Sequence, residues 1–174
     1  MVTLEPLRAD HAHALLAFER ENRAYFARTV PDRGDAYFTP EGFAARHRAL
    51  LAEQDAGVCR FHVVLADRGE IVGRVNLIDL ADGGAEVGYR VGARAAGRGV
   101  ATAAVAQVCR LAATAYGLRT LTALTRWENS ASRTVLERNG FRRVGDASVD
   151  GGPGLRYERG DLGAVPPPRP GSGG

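Results

Sequence analysis

The stretch GYRVGARAAGRGVATAAV, residues 88–105, decides the fold, because a strand-like pattern changes into a helix-like pattern within it. Residues 88–91 continue a β-prone run, and the alanines and valines after Gly99 favour a helix. A helix ordinarily begins on Ser, Thr, Asp or Asn, whose side chain caps its first N–H groups. Here the junction is Gly97-Arg98-Gly99, so the sequence predicts a helix without such a cap.

The same glycines predict an anion site. The first N–H groups of a helix and the positive end of its dipole attract anions. Glycine has no Cβ to keep a phosphate away from the backbone. Arg94 and Arg98 add positive charge on either side of the turn. We therefore expect the backbone of residues 98–102 to hold a phosphate or pyrophosphate, and the alternative is a flexible loop.

Two familiar phosphate-binding turns are excluded. The motif GxxxxGK[ST] is absent, and the chain contains no lysine. A dinucleotide-binding turn would lie in an early β-α-β unit, with an acidic residue about 20 positions further on. Here the turn follows several strand candidates, and the segment LRTLTAL at that distance carries no carboxylate.

Outward from the turn, the sequence predicts the order β-α-α-β-β-β-α-β-α-β-β. Short turns, DRGE and ADGG, join three β-rich runs and indicate an antiparallel meander before residue 91. One strand-helix-strand crossover follows. Its helix is expected from about Arg98 to Tyr116, with Gly117 in a left-handed conformation at its end. Asp10 and Thr39 are expected to cap the first two helices.

Length and composition indicate one domain and exclude several classes of site. We expect residues 1–162 to form a single domain and the Pro- and Gly-rich residues 163–174 to be a disordered tail. The 23 arginines are dispersed and the net charge is only +3, so no nucleic-acid surface is expected. Two isolated cysteines predict no disulfide framework and no metal site. No apolar run suits a membrane span or signal peptide, so a cytoplasmic location is expected.

The segment WENSASRTVLERNGFRRVG, residues 127–145, carries the second group of candidate residues. Asn129 stands where a strand ends and a helix begins, so its amide either caps that helix or reaches a ligand. Ser132 follows in the first helical turn and is expected to face the same cleft as the glycine turn. Gly140 is expected to end the helix, and Phe141 to anchor the next strand in the core.

Together these segments resemble the GNAT superfamily of acyl-CoA-dependent N-acetyltransferases, in particular its RimJ/RimL-type branch. AEVGYRV resembles the family's E-x-G-Y strand, and NSASRTVLERNGF resembles the branch's N-x-A-S-x-x-x-L-E-x-x-G-F. Residues 96–101 fit the pyrophosphate loop Q/R-x-x-G-x-G/A better than a second frame that begins at Arg94. The resemblance in element order covers residues 2–160, and the motifs cover residues 86–141.

The resemblance implies an α/β (α+β) fold with a splayed, mixed, mostly antiparallel sheet flanked by helices. Strands 86–91 and 121–127 would part at one end, and acetyl-CoA would enter the gap. The implied cofactor-binding residues are Tyr89, Arg90 and Val91 for the pantetheine arm, Arg94, Gly97, Arg98, Gly99, Val100, Ala101 and Thr102 for the pyrophosphate, and Asn129 and Ser132 near the thioester.

The implied mechanism is direct attack of a neutral amine on the thioester. Glu86 would orient or deprotonate the amine through water, unless it is merely a strand carboxylate paired with an arginine. Ser132, with Asn129 nearby, would assist the departing thiolate. The sequence departs from the family at Ala96, where Gln or Arg is usual. It also departs at Leu136, where many members carry a tyrosine acid.

The implied acceptor is a protein N-terminal amine of the ribosomal-protein-alanine type. The alternatives are a small amine, such as an aminoglycoside, polyamine or amino acid derivative, and a non-catalytic acyl-CoA-binding module. Residues Phe26, Arg33, Tyr37 and Phe38 would line the acceptor groove, although the aromatic residues equally suit a core. No metal, nucleic-acid or membrane partner is implied, and the chain is expected to be a monomer or homodimer.

Overall fold

Seven strands and four helices make up residues 1–163, the part of the chain that the computed structural model describes. The strands are β1 (Thr3–Pro6), β2 (Arg60–Leu65), β3 (Ile71–Ala81), β4 (Gly84–Val91), β5 (Thr120–Arg126), β6 (Arg142–Val149) and β7 (Gly152–Arg159). The helices are α1 (Ala12–Phe26), α2 (Pro40–Asp55), α3 (Val100–Thr114) and α4 (Ser130–Arg138). Their order confirms the predicted one. Except for Gly163, the predicted tail lies outside the described residues.

The strands form one sheet in the order β1-β2-β3-β4-β5-β7-β6. Every neighbouring pair is antiparallel except β4 and β5, which the crossover through α3 makes parallel. These two strands pair at only three positions, and the last pair joins Glu86 to Thr122. Beyond it, β4 stays paired with β3 as far as Val91, and β5 with β7 as far as Arg126. The sheet therefore splays between β4 and β5, as predicted.

Two hydrophobic clusters cover the two faces of the sheet. One contains α3 and α4 residues together with β4, β5 and β7, and includes the fully buried Val105, Leu121 and Leu155. The other joins α1, α2 and β2 around Leu15 and Phe61. Burying one such side chain contributes roughly 1.5–3 kcal/mol, whereas a backbone hydrogen bond adds about 1 kcal/mol net. Packing on α3, more than the short β4–β5 ladder, therefore holds the two halves of the sheet together.

Helix boundaries differ from the sequence prediction at three places, one of which is the end of α3 at Thr114 rather than about Tyr116. Helix α3 begins at Val100, not Arg98, because Gly97 and Gly99 have φ angles of 72° and 76° and cannot belong to a right-handed helix. Helix α1 begins at Ala12 because residues 9–11 form a separate 3₁₀ turn, so Asp10 does not cap it. The predicted Thr39 cap of α2 is confirmed, since its Oγ1 accepts from the Gly42 N–H at 3.1 Å.

Candidate active site

A cleft of about 180 Å³ opens where β4 and β5 part. Val87, Gly88 and Tyr89 line its β4 side, and residues 123–126 line its β5 side. Asn129, Ser132 and Leu136 of the α4 segment also line it. A Cβ built on Gly88 would meet no atom within 4 Å, so this part of β4 faces open space. The splay therefore produces an open cleft between the two strands rather than a closed seam.

The cleft exposes one backbone edge of β4. Strand β4 pairs with β3 along one edge up to Val91, but its other edge pairs with β5 only up to Glu86. Beyond Glu86, that second edge meets no strand among residues 1–163. An extended ligand can therefore hydrogen-bond to the free backbone groups as an added strand would. This edge includes the main chain of Tyr89, Arg90 and Val91, the predicted pantetheine contacts.

The start of α3 lies beyond the end of β4 and is open to an anion. Gly99 is the residue before the first helical turn, and no side chain caps the helix there. Within residues 1–163, no hydrogen bond reaches the N–H groups of residues 98–102. Added Cβ atoms at Gly97 and Gly99 would meet nothing within 4 Å, so a phosphate has room to approach. The backbone therefore fits the pyrophosphate site predicted for Gly97, Arg98, Gly99, Val100, Ala101 and Thr102.

The two arginines beside this turn differ in what they contact. Arg94 binds Glu21 of α1, with Nη2 and Oε1 2.6 Å apart, so its predicted phosphate contact competes with an existing ion pair. Arg98 is exposed and has no carboxylate partner within the described part of the chain. Arg98 is consequently the better placed of the two to supplement the backbone at an anion site.

Asn129, Ser132 and Tyr89 form a hydrogen-bonded group at the cleft. The Ser132 N–H donates to Asn129 Oδ1 at 3.1 Å, so that oxygen caps α4, and the NH₂ group of Asn129 can donate to a ligand. Ser132 Oγ lies 3.0 Å from the Tyr89 hydroxyl oxygen, which links α4 to β4. Burial raises the pKa of Tyr89, so the phenol keeps its proton at neutral pH.

The sequence predicts a contact for the main chain of Tyr89 but not the hydrogen bond of its side chain to Ser132. Alternation along β4 places Tyr89 on the same face as Val87, which packs with α3 and α4. The one signal in the sequence is Leu136, which leaves α4 without the tyrosine that many family members carry at this position. The partner itself, Ser132, depends on a contact 43 residues away that local patterns do not reveal.

Glu86 lies at the closed end of the cleft, on the opposite face of β4 from Tyr89. Its carboxylate has no arginine within ion-pair distance in the described structure, so the predicted alternative of an arginine-paired strand carboxylate is not found. Half-burial raises the pKa of Glu86, Asp79 raises it further, and Arg156 partly opposes them. A carboxylate with a raised pKa is suited to exchange a proton with an amine through water.

The residues predicted for an acceptor groove separate into core and surface. Phe26 is 7% exposed and belongs to the α1–α2 core cluster, and Tyr37 packs on Phe43 at its edge. Arg33 and Phe38, in contrast, lie outside that cluster, and together with Phe26 they line a small side cavity beside α1. This side cavity is lined by ten residues: Glu19, Arg23, Phe26, Ala27, Val30, Pro31, Asp32, Arg33, Phe38 and Arg90. Val30 also lines the cleft, so the two spaces adjoin.

Three further titratable groups, His62, Cys59 and Cys109, are buried in the core. His62 is buried, with one ring nitrogen 2.6 Å from the Tyr116 hydroxyl, and burial lowers the pKa of its imidazole to about 4. Cys59 and Cys109 are buried and unbridged.

Across residues 1–163, no three His, Cys, Asp or Glu side chains form a candidate metal site. In that same range, no helix has the length and apolar character needed to cross a membrane.

Comparison with known proteins agrees with this geometry. The probable N-acetyltransferase YjcK of Bacillus subtilis is 28% identical over 152 residues, which are 84% of this chain and 83% of that protein. The structure of Mycobacterium smegmatis RimJ in complex with CoA-disulfide has a TM-score of 0.83 at 28% identity, covering 91% of this chain and 81% of that one. The ribosomal-protein-S5-alanine acetyltransferase of Vibrio fischeri shares the fold, with a TM-score of 0.85 at 22% identity, covering 95% of this chain and 96% of that one.

The sequence profile described as "Acetyltransferase (GNAT) domain" matches residues 1–142, well over half of the chain. This range contains the whole of β4, the glycine turn and α4. The protein therefore belongs to the GNAT acetyltransferase family, as the resemblance indicated, and is an N-acetyltransferase.

Proposed function

We propose that this enzyme transfers the acetyl group of acetyl-CoA to a protein N-terminal amine, of the ribosomal-protein-alanine type. The observation that carries the proposal is the free edge of β4 leading towards the uncapped start of α3. Coenzyme A combines an extended pantetheine arm with a pyrophosphate, and these two features suit that edge and that helix start. The RimJ relative, which was solved with a CoA disulfide, supports this choice of co-substrate.

In the proposed complex, the chain holds acetyl-CoA chiefly through its backbone. The main chain of Tyr89, Arg90 and Val91 receives the pantetheine arm, and the N–H groups of residues 98–102 receive the pyrophosphate. Arg98 adds charge from the surface. Acetyl-CoA then supplies an activated thioester. Backbone recognition tolerates Ala96, because a missing polar side chain removes one contact and leaves the amides in place.

Glu86 is proposed to prepare the amine. An ammonium group has no lone pair, so it must lose a proton before attack. Glu86 lies on the α1 face of β4, where the acceptor would enter, and its raised pKa brings it closer to neutral pH. Its carboxylate would take the proton through water and later release it to solvent.

Ser132 and Tyr89 are proposed to serve the leaving group. Ser132 Oγ would donate a proton to the sulfur as the C–S bond breaks and the C–N bond forms. The Tyr89 hydroxyl, 3.0 Å away, would restore the serine proton and regain its own from solvent. The two proton transfers then occur on opposite faces of β4, because Glu86 and Tyr89 alternate along the strand. A phenol from β4 would thus replace the tyrosine that Leu136 displaces on α4.

Two measurements test the proposed function. Acetyl-CoA at 100 times its Kd should stabilise the fold by roughly 2.7 kcal/mol. This stabilisation corresponds to a rise of roughly 5–10 °C in the melting temperature. Thiol release should then be seen with alanine-initiated peptides and not with the same peptides acetylated at their N-terminus. Turnover of spermidine or an aminoglycoside, but of no peptide, would replace the proposed acceptor with a small amine.

A further inference from the structure

The side cavity lies beside the cleft on the face of β4 where the acceptor would enter. Arg90, which lines it, is two residues beyond Gly88 in the cleft and points to the same face. Two residues of a strand span about 7 Å. A peptide with its amine near Gly88 therefore brings its second or third residue to the side cavity.

Buried charge on one side of this cavity is incompletely compensated. Glu19 has a side chain only 2% exposed, and two arginines share it. Arg74 Nη1 lies 3.0 Å from Oε1, and Arg90 Nη1 lies 3.4 Å from Oε2. Two guanidinium groups around one carboxylate leave one positive charge over. Because an uncompensated buried charge is costly, an incoming anion gains from this arrangement.

The other carboxylate that lines the cavity, Asp32, and the nearby Asp35 share one arginine, so this group of three carries one surplus negative charge that the positive charge of Arg33 offsets. Asp32 and Asp35 both bind Arg23, each with its closest oxygen 2.8 Å from Nη2. Arg33 therefore has no carboxylate partner within the described ranges of the chain. Its guanidinium lies over the Tyr37 ring, 5.1 Å from the centroid, which orients the planar group at the cavity rim. Arg33 thus remains available to an anion, and the surplus positive charge of the Arg74–Glu19–Arg90 group lies behind it at Arg90.

We propose that the rim of the side cavity, formed by Arg33 with Arg90 behind it, is an anion subsite that selects acceptors carrying a carboxylate close to the reacting amine. This inference rests on the proposed function. On a protein N-terminus, the recognised group is an acidic side chain at the second or third position. The opposite end of the acceptor face carries Glu86 with Asp79 and Arg156 near it, two carboxylates against one guanidinium, so the amine end is acidic and the far end is basic. This polarity matches an acidic peptide N-terminus and disfavours polycationic amines.

Two peptides that differ only in aspartate or asparagine at the second and third positions test the subsite. A charge-assisted hydrogen bond predicts a kcat/KM roughly tenfold or more higher for the aspartate peptide. Arg33→Gln should bring this ratio close to one. Arg28→Gln is the matched control, because Arg28 stacks on Tyr25 at 5.9 Å outside the side cavity and loses the same charge. The control should keep the wild-type ratio.

Binding of the acetylated product peptides in the presence of CoA separates this inference from the proposed function. Equal turnover of both peptides by the wild type overturns the subsite and leaves the function intact. Tighter binding of the aspartate product without any turnover supports the subsite and overturns the function. An Arg33→Gln variant with a raised KM for acetyl-CoA and an unchanged peptide ratio assigns Arg33 to the phosphates of CoA, and overturns the subsite. Failure of both peptides to bind or react overturns both.

Discussion

The two ends of α3 carry glycines in the same backbone conformation, which gives a matched test of the anion site. Gly99 has φ of 76° and Gly117 has φ of 65°, and a Cβ at either would meet no atom within 4 Å. Alanine therefore introduces the same left-handed strain at both positions, about 1–2 kcal/mol. For a domain of this size, we expect Gly99→Ala and Gly117→Ala each to lower the melting temperature by roughly 2–8 °C.

Only the Gly99 variant should also weaken binding of CoA. The N–H groups of residues 98–102 are unpaired in the described structure, and a methyl group among them holds a phosphate further away. Losing one charge-assisted hydrogen bond costs about 1.5–3 kcal/mol, which weakens the Kd for CoA roughly 10- to 150-fold. Gly99→Glu adds a carboxylate to the same space and should abolish binding.

Titration calorimetry with CoA, beside thermal unfolding of each variant, measures both effects. The reasoning is refuted if folded Gly99→Ala binds CoA as tightly as the wild type. It is equally refuted if Gly117→Ala weakens CoA binding to the same extent, because the loss would then come from strain in α3 rather than from the anion site.

The remaining predictions concern proton transfer and pH. Glu86→Gln should lower kcat roughly 10²- to 10⁴-fold with little change in the Kd for acetyl-CoA, and an unchanged kcat would remove Glu86 from the mechanism. Tyr89→Phe should lower kcat and change the alkaline limb of the pH profile of kcat. Adding Ser132→Ala to this variant should lower kcat little further. Additive losses in kcat would show that the two hydroxyls act independently. The pKa of His62 is about 4 in the folded protein, well below the usual value of about 6.5. Between pH 6.5 and 4 the imidazole is therefore protonated in the unfolded chain but mostly neutral in the folded one. The free energy of unfolding should fall by up to about 3 kcal/mol over this range as the pH is lowered. Urea unfolding should show a flatter slope there for His62→Gln, whereas His13→Gln, an exposed control, should keep the wild-type slope.

The elements that sequence patterns predict correctly depend on local chemistry. The order of strands and helices follows from periodicity and turn residues, and the Thr39 cap and the left-handed Gly117 follow from their own neighbours. The glycine turn was also readable, although its two positive φ angles delay the start of α3 by two residues. At these positions, the competing interactions lie within a few residues of one another.

The features that sequence patterns miss depend on long-range contacts. The Ser132–Tyr89 hydrogen bond forms only because α4 packs beside the end of β4. Glu19 lies 55 residues from Arg74 and 71 residues from Arg90, so its buried ion pairs depend on α1 crossing the sheet. The Arg94–Glu21 pair has the same origin and turns a predicted phosphate ligand towards α1. Because the chain contains 23 arginines, their positions in the sequence do not show which of them pair with Glu19 or Glu21.

The three-pair junction of β4 and β5 has a consequence for cooperativity. Strands β1–β4 and β5–β7–β6 are each continuously laddered, but their backbones meet along only Gly84–Glu86 and Thr120–Thr122, with α3 as common support. Without ligand, the second group is expected to open as its own unit, and its amides should exchange with solvent faster than those of β2 and β3. An extended ligand bonded to both sides would complete the missing ladder. Substrate would then act as a structural strand, which couples the rigidity of the whole sheet to the occupancy of the active site.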